Sequence, residues 1–120
     1  MKSGYLEIDN NIFSTLLAFS EEEQSSGLMY QSYPPPVMSF VYDTPKVSYF
    51  WMKNTPCALD IVFCYNGKIN KICKGEPHST SLIGDNSPSD LVVEFPFGTM
   101  KNLNIKVGCN IGLFNPKKLI

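Results

Sequence analysis

The chain has no arginine: all ten positions counted as lysine plus arginine among its 120 residues are lysine. It therefore lacks the planar donor fork that grips phosphate or guanine through two parallel hydrogen bonds and has only point charges instead. Eleven acidic residues bring the formal net charge to −1, so no field steers the chain toward nucleic acid or an anionic membrane. Nucleic acid is not an expected partner. Long apolar runs are also missing, and nothing approaches the roughly 20 residues of a membrane span. The start, Met1-Lys2-Ser3-Gly4-Tyr5-Leu6-Glu7-Ile8-Asp9, has carboxylates where a secretory leader is apolar. The expectation is a cytoplasmic protein with no membrane partner.

Histidine occurs once, as His78, and Cys57, Cys64, Cys73 and Cys109 form no C-x-x-C pair. A zinc ribbon or a thioredoxin-like site lacks its ligand spacing, and Gly84-Asp85-Asn86 lacks the flanks of a phosphate loop. No metal and no cofactor is expected. A cysteine–His78 nucleophile is disfavoured because Cys64 and Cys73 fall in apolar strand segments, where small thiols are inert. His78 stays a candidate only as part of its loop. Repeats and low-complexity tracts are absent as well. The absence of arginine beside many lysines and asparagines suggests an A/T-rich genome, of phage or marine bacterial type.

What is present suits one globular domain over residues 1–120, with 43% hydrophobic and 18% charged residues. A chain of this size buries enough surface to be stable without disulfides, so four reduced thiols are expected.

Tyr5–Ile8 and Ile12–Phe19 read as a hairpin around Asp9-Asn10-Asn11. Ser20-Glu21-Glu22-Glu23 has the capping-box spacing, predicting a helix to about Ser26 that stops at Gly27. Ser32-Tyr33-Pro34-Pro35-Pro36 is a stiff connector. Strands are predicted at Val37–Tyr42, Val47–Lys53 and Leu59–Tyr65, with Asp43-Thr44-Pro45-Lys46 as a turn. Asn66-Gly67 predicts a tight hairpin that sets Cys64 opposite Ile69, Val62 opposite Lys71 and Asp60 opposite Cys73. In that register Cys64 and Cys73 share a face about 13 Å apart, beyond disulfide reach.

Gly75–Ser89 is a long polar loop containing His78, and Asp90–Phe95 is a strand. Thr99 is the expected cap of one helical turn, and Asn110–Phe114 is a last strand before a frayed basic tail. The tally is about eight strands and two short helices. The expected fold class is mainly β (β-rich α+β), a mostly antiparallel curled or barrel-like sheet.

The chemistry concentrates in Phe50-Trp51-Met52-Lys53-Asn54-Thr55, which holds the only tryptophan, followed by Asp60. In a strand Trp51 and Lys53 project from one face and Phe50, Met52 and Asn54 from the other. With Asp60 opening the next strand, an aromatic wall, a cation and a carboxylate would suit a small polar ligand or a sugar-like ring. The same residues also make a purely structural set, with Asp60 capping the Asn54–Pro56 turn and Lys53 pairing with Glu94 or Asp60.

Several strings taken together resemble the domain of unknown function 192 family. These are Gly27-Leu28-Met29, Met38-Ser39-Phe40-Val41, Phe50 to Thr55, Leu59-Asp60 and Gly67-Lys68-Ile69 with Ile72. Pro77, Val93-Glu94, Gly98 and Val107-Gly108 continue the pattern, so the resemblance spans roughly residues 13–114. It implies a compact β-rich fold and no established activity. Cys57-Ala58 and Cys109 depart from the residues usual in that family at those positions.

The leading expectation is a non-enzymatic module binding a small molecule or a protein, with candidate ligand-binding residues Trp51, Lys53, Asn54, Asp60 and Glu94. The alternative is a hydrolase-like enzyme using Asp60 and Glu94 as a carboxylate pair. A third option leaves these residues as a folding device and places function in the 75–89 loop and the tail.

Overall fold

The computed structural model describes residues 1–114, so the basic tail read from the sequence lies outside the described residues. Its strands are β1 (Lys2–Ile8), β2 (Asn11–Ala18), β3 (Met38–Val47), β4 (Leu59–Tyr65), β5 (Lys68–Gly75), β6 (Pro88–Pro96) and β7 (Ile111–Phe114). Two short helices, α1 (Glu21–Ser26) and α2 (Thr99–Asn102), complete the elements. All seven strands form one sheet in the order β5-β4-β6-β3-β2-β1-β7. Every neighbouring pair is antiparallel except β2–β3, which run parallel.

The sheet curls until its edges meet at one end. There Ile69 N donates to Cys109 O at 3.0 Å and Ile111 N to Gly67 O at 2.9 Å, while Lys68 bridges Asn110. The result is a half-barrel with part of its edge covered, the mainly β architecture expected. Among the described residues no helix is long and apolar enough to cross a membrane.

Local chemistry accounts for the turns. The Ser20 hydroxyl accepts from Glu23 N, and the Glu23 carboxylate accepts from Ser20 N, each at 3.1 Å. The backbone N–H groups of Ser20 and Phe19 hold that carboxyl below its ordinary value. Gly27 ends α1 at φ +47°, and Asn66 and Gly67 turn the β4–β5 hairpin at φ +51° and +78°.

The predicted strand over Val47–Lys53 does not form, and seven strands replace eight. β3 instead runs on through Asp43-Thr44-Pro45-Lys46, the predicted turn, with its pairing to β6 interrupted between Val41 and Lys46. Pro45 has no N–H to give the ladder, so an irregularity rather than a reversal is the outcome. Beyond Val47 the partner strand is exhausted, since Val47 already pairs with Pro88 where β6 begins. The chain then leans on the 79–83 segment, with Phe50 and Ile83 exchanging hydrogen bonds at 2.9 and 2.8 Å. The side-chain alternation survives: Phe50 is half-buried and Met52 buried, while Trp51 and Lys53 are exposed.

The β4–β5 register also differs. Cys64 pairs with Ile69 as expected, but Phe63 pairs with Lys71, so Asn70 is an extra, bulged residue on β5. From there the pairs are Val62 with Ile72, Ile61 with Cys73 and Asp60 with Lys74. A one-residue slip exchanges faces. Cys64 accordingly packs in one core cluster and Cys73 against the other, and all four cysteines are free.

The sheet has a core on each face. One gathers Leu6, Val62, Cys64, Val93, Phe95 and Met100. The other gathers Met38, Phe40, Met52, Ile61, Phe63 and Val92 under the chain that follows α1.

Candidate functional site

Glu94 stands in β6, the central strand of the three that carry the second core. Its direct partners are Met38 on β3 and Ile61 on β4, both fully or nearly fully buried. Side chains directly opposite in a ladder share a face, so the carboxyl is wedged among Met38, Ile61 and Val92. It is 4% exposed, and its Oε1 has no hydrogen-bond partner. Taking a carboxylate out of water without a partner is costly, and burial pushes its pKa up to about 8. Near neutral pH the side chain is mostly the neutral acid, able to donate a proton or hydrogen bond.

Above it opens a cleft of about 490 Å³, within the range of small-molecule sites. One wall is α1 with its exit, including Glu21, Gln24, Gly27 and Leu28. A second is β3, with Phe40, Tyr42 and Lys46. The third is the 48–51 segment, Ser48-Tyr49-Phe50-Trp51.

Each wall has a physical anchor. A Cβ on Gly27 would sit 3.7 Å from Glu94 Oε1 and 3.5 Å from the tip of Phe40, so glycine brings the helix exit close over the acid. Phe50 packs edge-to-face on Phe40 and Phe63 at 5.0 and 5.7 Å between centroids, pinning the 48–51 segment. Behind that segment lies Gly84, where a Cβ would come within 2.8 Å of Ser48 O. The Lys46 ammonium lies 4.7 Å from the Tyr42 ring centroid. Burial raises the Tyr42 phenol above its ordinary value, with the nearby Ser48 hydroxyl opposing and the Glu94 charge reinforcing. Ser48 Oγ and Glu94 Oε1 are the buried side-chain polar atoms without a hydrogen bond among the described residues.

Of the residues singled out from the sequence, Trp51 and Glu94 line this cleft. Lys53 lies beside Trp51, its ammonium 5.2 Å from the ring, but does not line the cleft or pair with Glu94 or Asp60. Asn54 adopts a left-handed φ of +56° and its carbonyl accepts from Tyr30 N at 2.7 Å. His78 is exposed on its loop, with its backbone N–H donating to Thr55 O at 3.0 Å.

Asp60 is buried on the other face. Its Oδ2 accepts from Met100 N at 3.0 Å, supplying from β4 the cap that α2 lacks locally. It does not cap the Asn54–Pro56 turn, and it does not join Trp51. The Thr99 hydroxyl, expected as that cap, donates instead to Pro96 O at 2.6 Å. Among the described residues no three His, Cys, Asp or Glu side chains gather as a metal-ligating group.

Gly27, Tyr42, Lys46, Ser48 and Tyr49 were not among the sequence-based candidates. The one available signal was Glu94 itself, a lone charge inside the apolar run Leu91-Val92-Val93-Glu94-Phe95.

A curled, mostly antiparallel sheet with a partly aromatic cleft over an unpaired buried acid defines a β-rich half-barrel domain. The family model DUF192, described as Uncharacterized ACR, matches residues 5–113. The chain belongs to this domain of unknown function 192 family. It is similar to a Sinorhizobium meliloti protein of known crystal structure, described provisionally as a transcription regulator. That likeness has a TM-score of 0.85 and 28% identity over 92% of this chain and 93% of that one. It is also similar to a protein of unknown function from Novosphingobium aromaticivorans, with a TM-score of 0.79 and 25% identity over 92% of this chain and 83% of that one. No curated protein matches the chain.

Proposed function

We propose that the protein is a non-enzymatic binding module that holds a small molecule in the cleft between α1, β3 and the 48–51 segment. Trp51 and Tyr49 form its outer aromatic wall and Glu94 its floor. The observation that carries this reading is the Glu94 carboxyl, 4% exposed, unpartnered at Oε1 and lying under a cleft of about 490 Å³. A buried polar atom without a partner costs stability, and a ligand group completing its hydrogen bonds recovers that cost.

The carboxylate-pair alternative needs Asp60 and Glu94 across one cleft, and their opposite faces remove its premise. The regulator description of the Sinorhizobium protein is not carried over, because a net charge of −1 without arginine offers little to a phosphate backbone.

A library of small polar fragments screened by amide chemical shifts tests the reading. The expected result is a cluster of perturbed resonances at Gly27, Tyr42, Tyr49 and Trp51, weakened in Trp51→Ala. Fragments that bind only elsewhere, or none that bind, would overturn it.

A further inference from the structure

Resting on that reading, we infer that the ligand of this cleft is an organic ammonium ion, its charged nitrogen set against Glu94 and its body among the aromatic rings. Two carboxyl groups line the cleft, Glu94 at the floor and Glu21 on the α1 side, against one ammonium, Lys46. An anionic ligand would gain nothing from ionising Glu94 and would share the cleft with Glu21, and a neutral one would make no use of the charge Glu94 can acquire.

The rings supply the second half of the recognition. Tyr42, Tyr49 and Trp51 line the same space, and cations are drawn to aromatic faces within about 6 Å. One such contact already exists, since the Lys46 ammonium lies 4.7 Å from the Tyr42 centroid. The protein's own cation thus occupies one face at the cleft, as a competitor that an incoming ammonium displaces or joins.

Proton balance gives the inference a signature. The titratable and charged groups that line the cleft with Glu94 are Tyr42 and Lys46 from β3, Tyr49 from the 48–51 segment and Glu21 from α1, with the Ser48 hydroxyl beside them, while its ladder partners Met38 and Ile61 are apolar. The empty site holds the neutral acid at neutral pH. An ammonium binds the carboxylate, so one proton leaves Glu94 for solvent when the complex forms. With a pKa of about 8 the cost of that ionisation at pH 7 is only about tenfold in affinity.

The experiment titrates the full chain with benzylamine and its neutral counterpart benzyl alcohol, followed by Trp51 fluorescence and amide shifts. Benzylamine is expected to bind about tenfold or more tightly than the alcohol at pH 8, and its affinity to rise about tenfold per pH unit between 6 and 7.5. Calorimetry at pH 7 in buffers of different ionisation enthalpy should find close to one proton released. Glu94→Gln should flatten the pH dependence and erase the preference. The surface change Lys46→Gln, which leaves the core untouched, should strengthen amine binding.

Equal binding of the two probes, or amine binding indifferent to Glu94→Gln, overturns the ammonium assignment and leaves the cleft reading standing. Binding of neither, while other fragments occupy the cleft, does the same. An empty cleft throughout the wider screen removes both.

Discussion

Asp60 and Glu94 lie on adjacent strands one register step apart and project from opposite faces of the sheet. Glu94 pairs with Ile61, whereas Asp60 pairs with Phe95. One carboxylate is satisfied by the Met100 amide at the start of α2, and the other keeps an oxygen without a partner beneath the cleft. Two acids that look alike in sequence therefore divide into a structural cap and a candidate binding group.

Asp60→Ala should destabilise the fold and spare the cleft. The Met100 N–H would lose its buried acceptor, a loss of about 1–3 kcal/mol. Asp60→Asn keeps an acceptor oxygen and should cost less. Urea unfolding measures both, and fragment binding at Trp51 should be unchanged in either variant.

Glu94 makes stability fall with pH. Its folded-state pKa of about 8 lies above its ordinary value of 4.5, so the native state binds more protons than the unfolded chain between them. The stabilising share is complete below about pH 4.5, declines as pH rises and is lost above about 8, an effect on the order of a few kcal/mol. Urea midpoints from pH 5 to 9 should slope downward for the native sequence and stay nearly flat over the same window for Glu94→Gln. Parallel curves for the two proteins would show that Glu94 does not titrate in this way.

Gly84→Ala should disturb the cleft from behind. Its φ of +135° disfavours any side chain, and the new Cβ would sit 2.8 Å from the Ser48 carbonyl oxygen. A loss of about 1–3 kcal/mol is expected, with weaker fragment binding as the 48–51 wall shifts. Thermal unfolding and the chemical shifts of Phe50 and Trp51 would register both effects.

The thiols should react in order of access. Cys64 is buried and its thiol is pushed up to about 12, mainly by burial, while Cys73 and Cys109 are partly exposed. Iodoacetamide followed by peptide mapping should label Cys73 and Cys109 in the native protein and Cys64 only on unfolding. Rapid native-state labelling of Cys64 would contradict its place in the core.

What depended on a few neighbouring residues was legible from the chain alone. The Ser20/Glu23 capping box, the Gly27 stop, the Asn66-Gly67 hairpin and the inward–outward alternation of Phe50, Trp51, Met52 and Lys53 each follow from local geometry. The mainly β class followed from their sum. What depended on distant neighbours was decided by tertiary structure. The Asn70 bulge exchanged the faces of Cys64 and Cys73, and β3 ran on past Pro45 as far as its pairing with β6 allowed. Placing β6 between β3 and β4 put the lone charge of an apolar strand under a cleft whose other residues all lie between Glu21 and Thr55. A side chain's face is set by the parity of its register, and register across non-local strands is fixed by packing, which no short window of sequence contains.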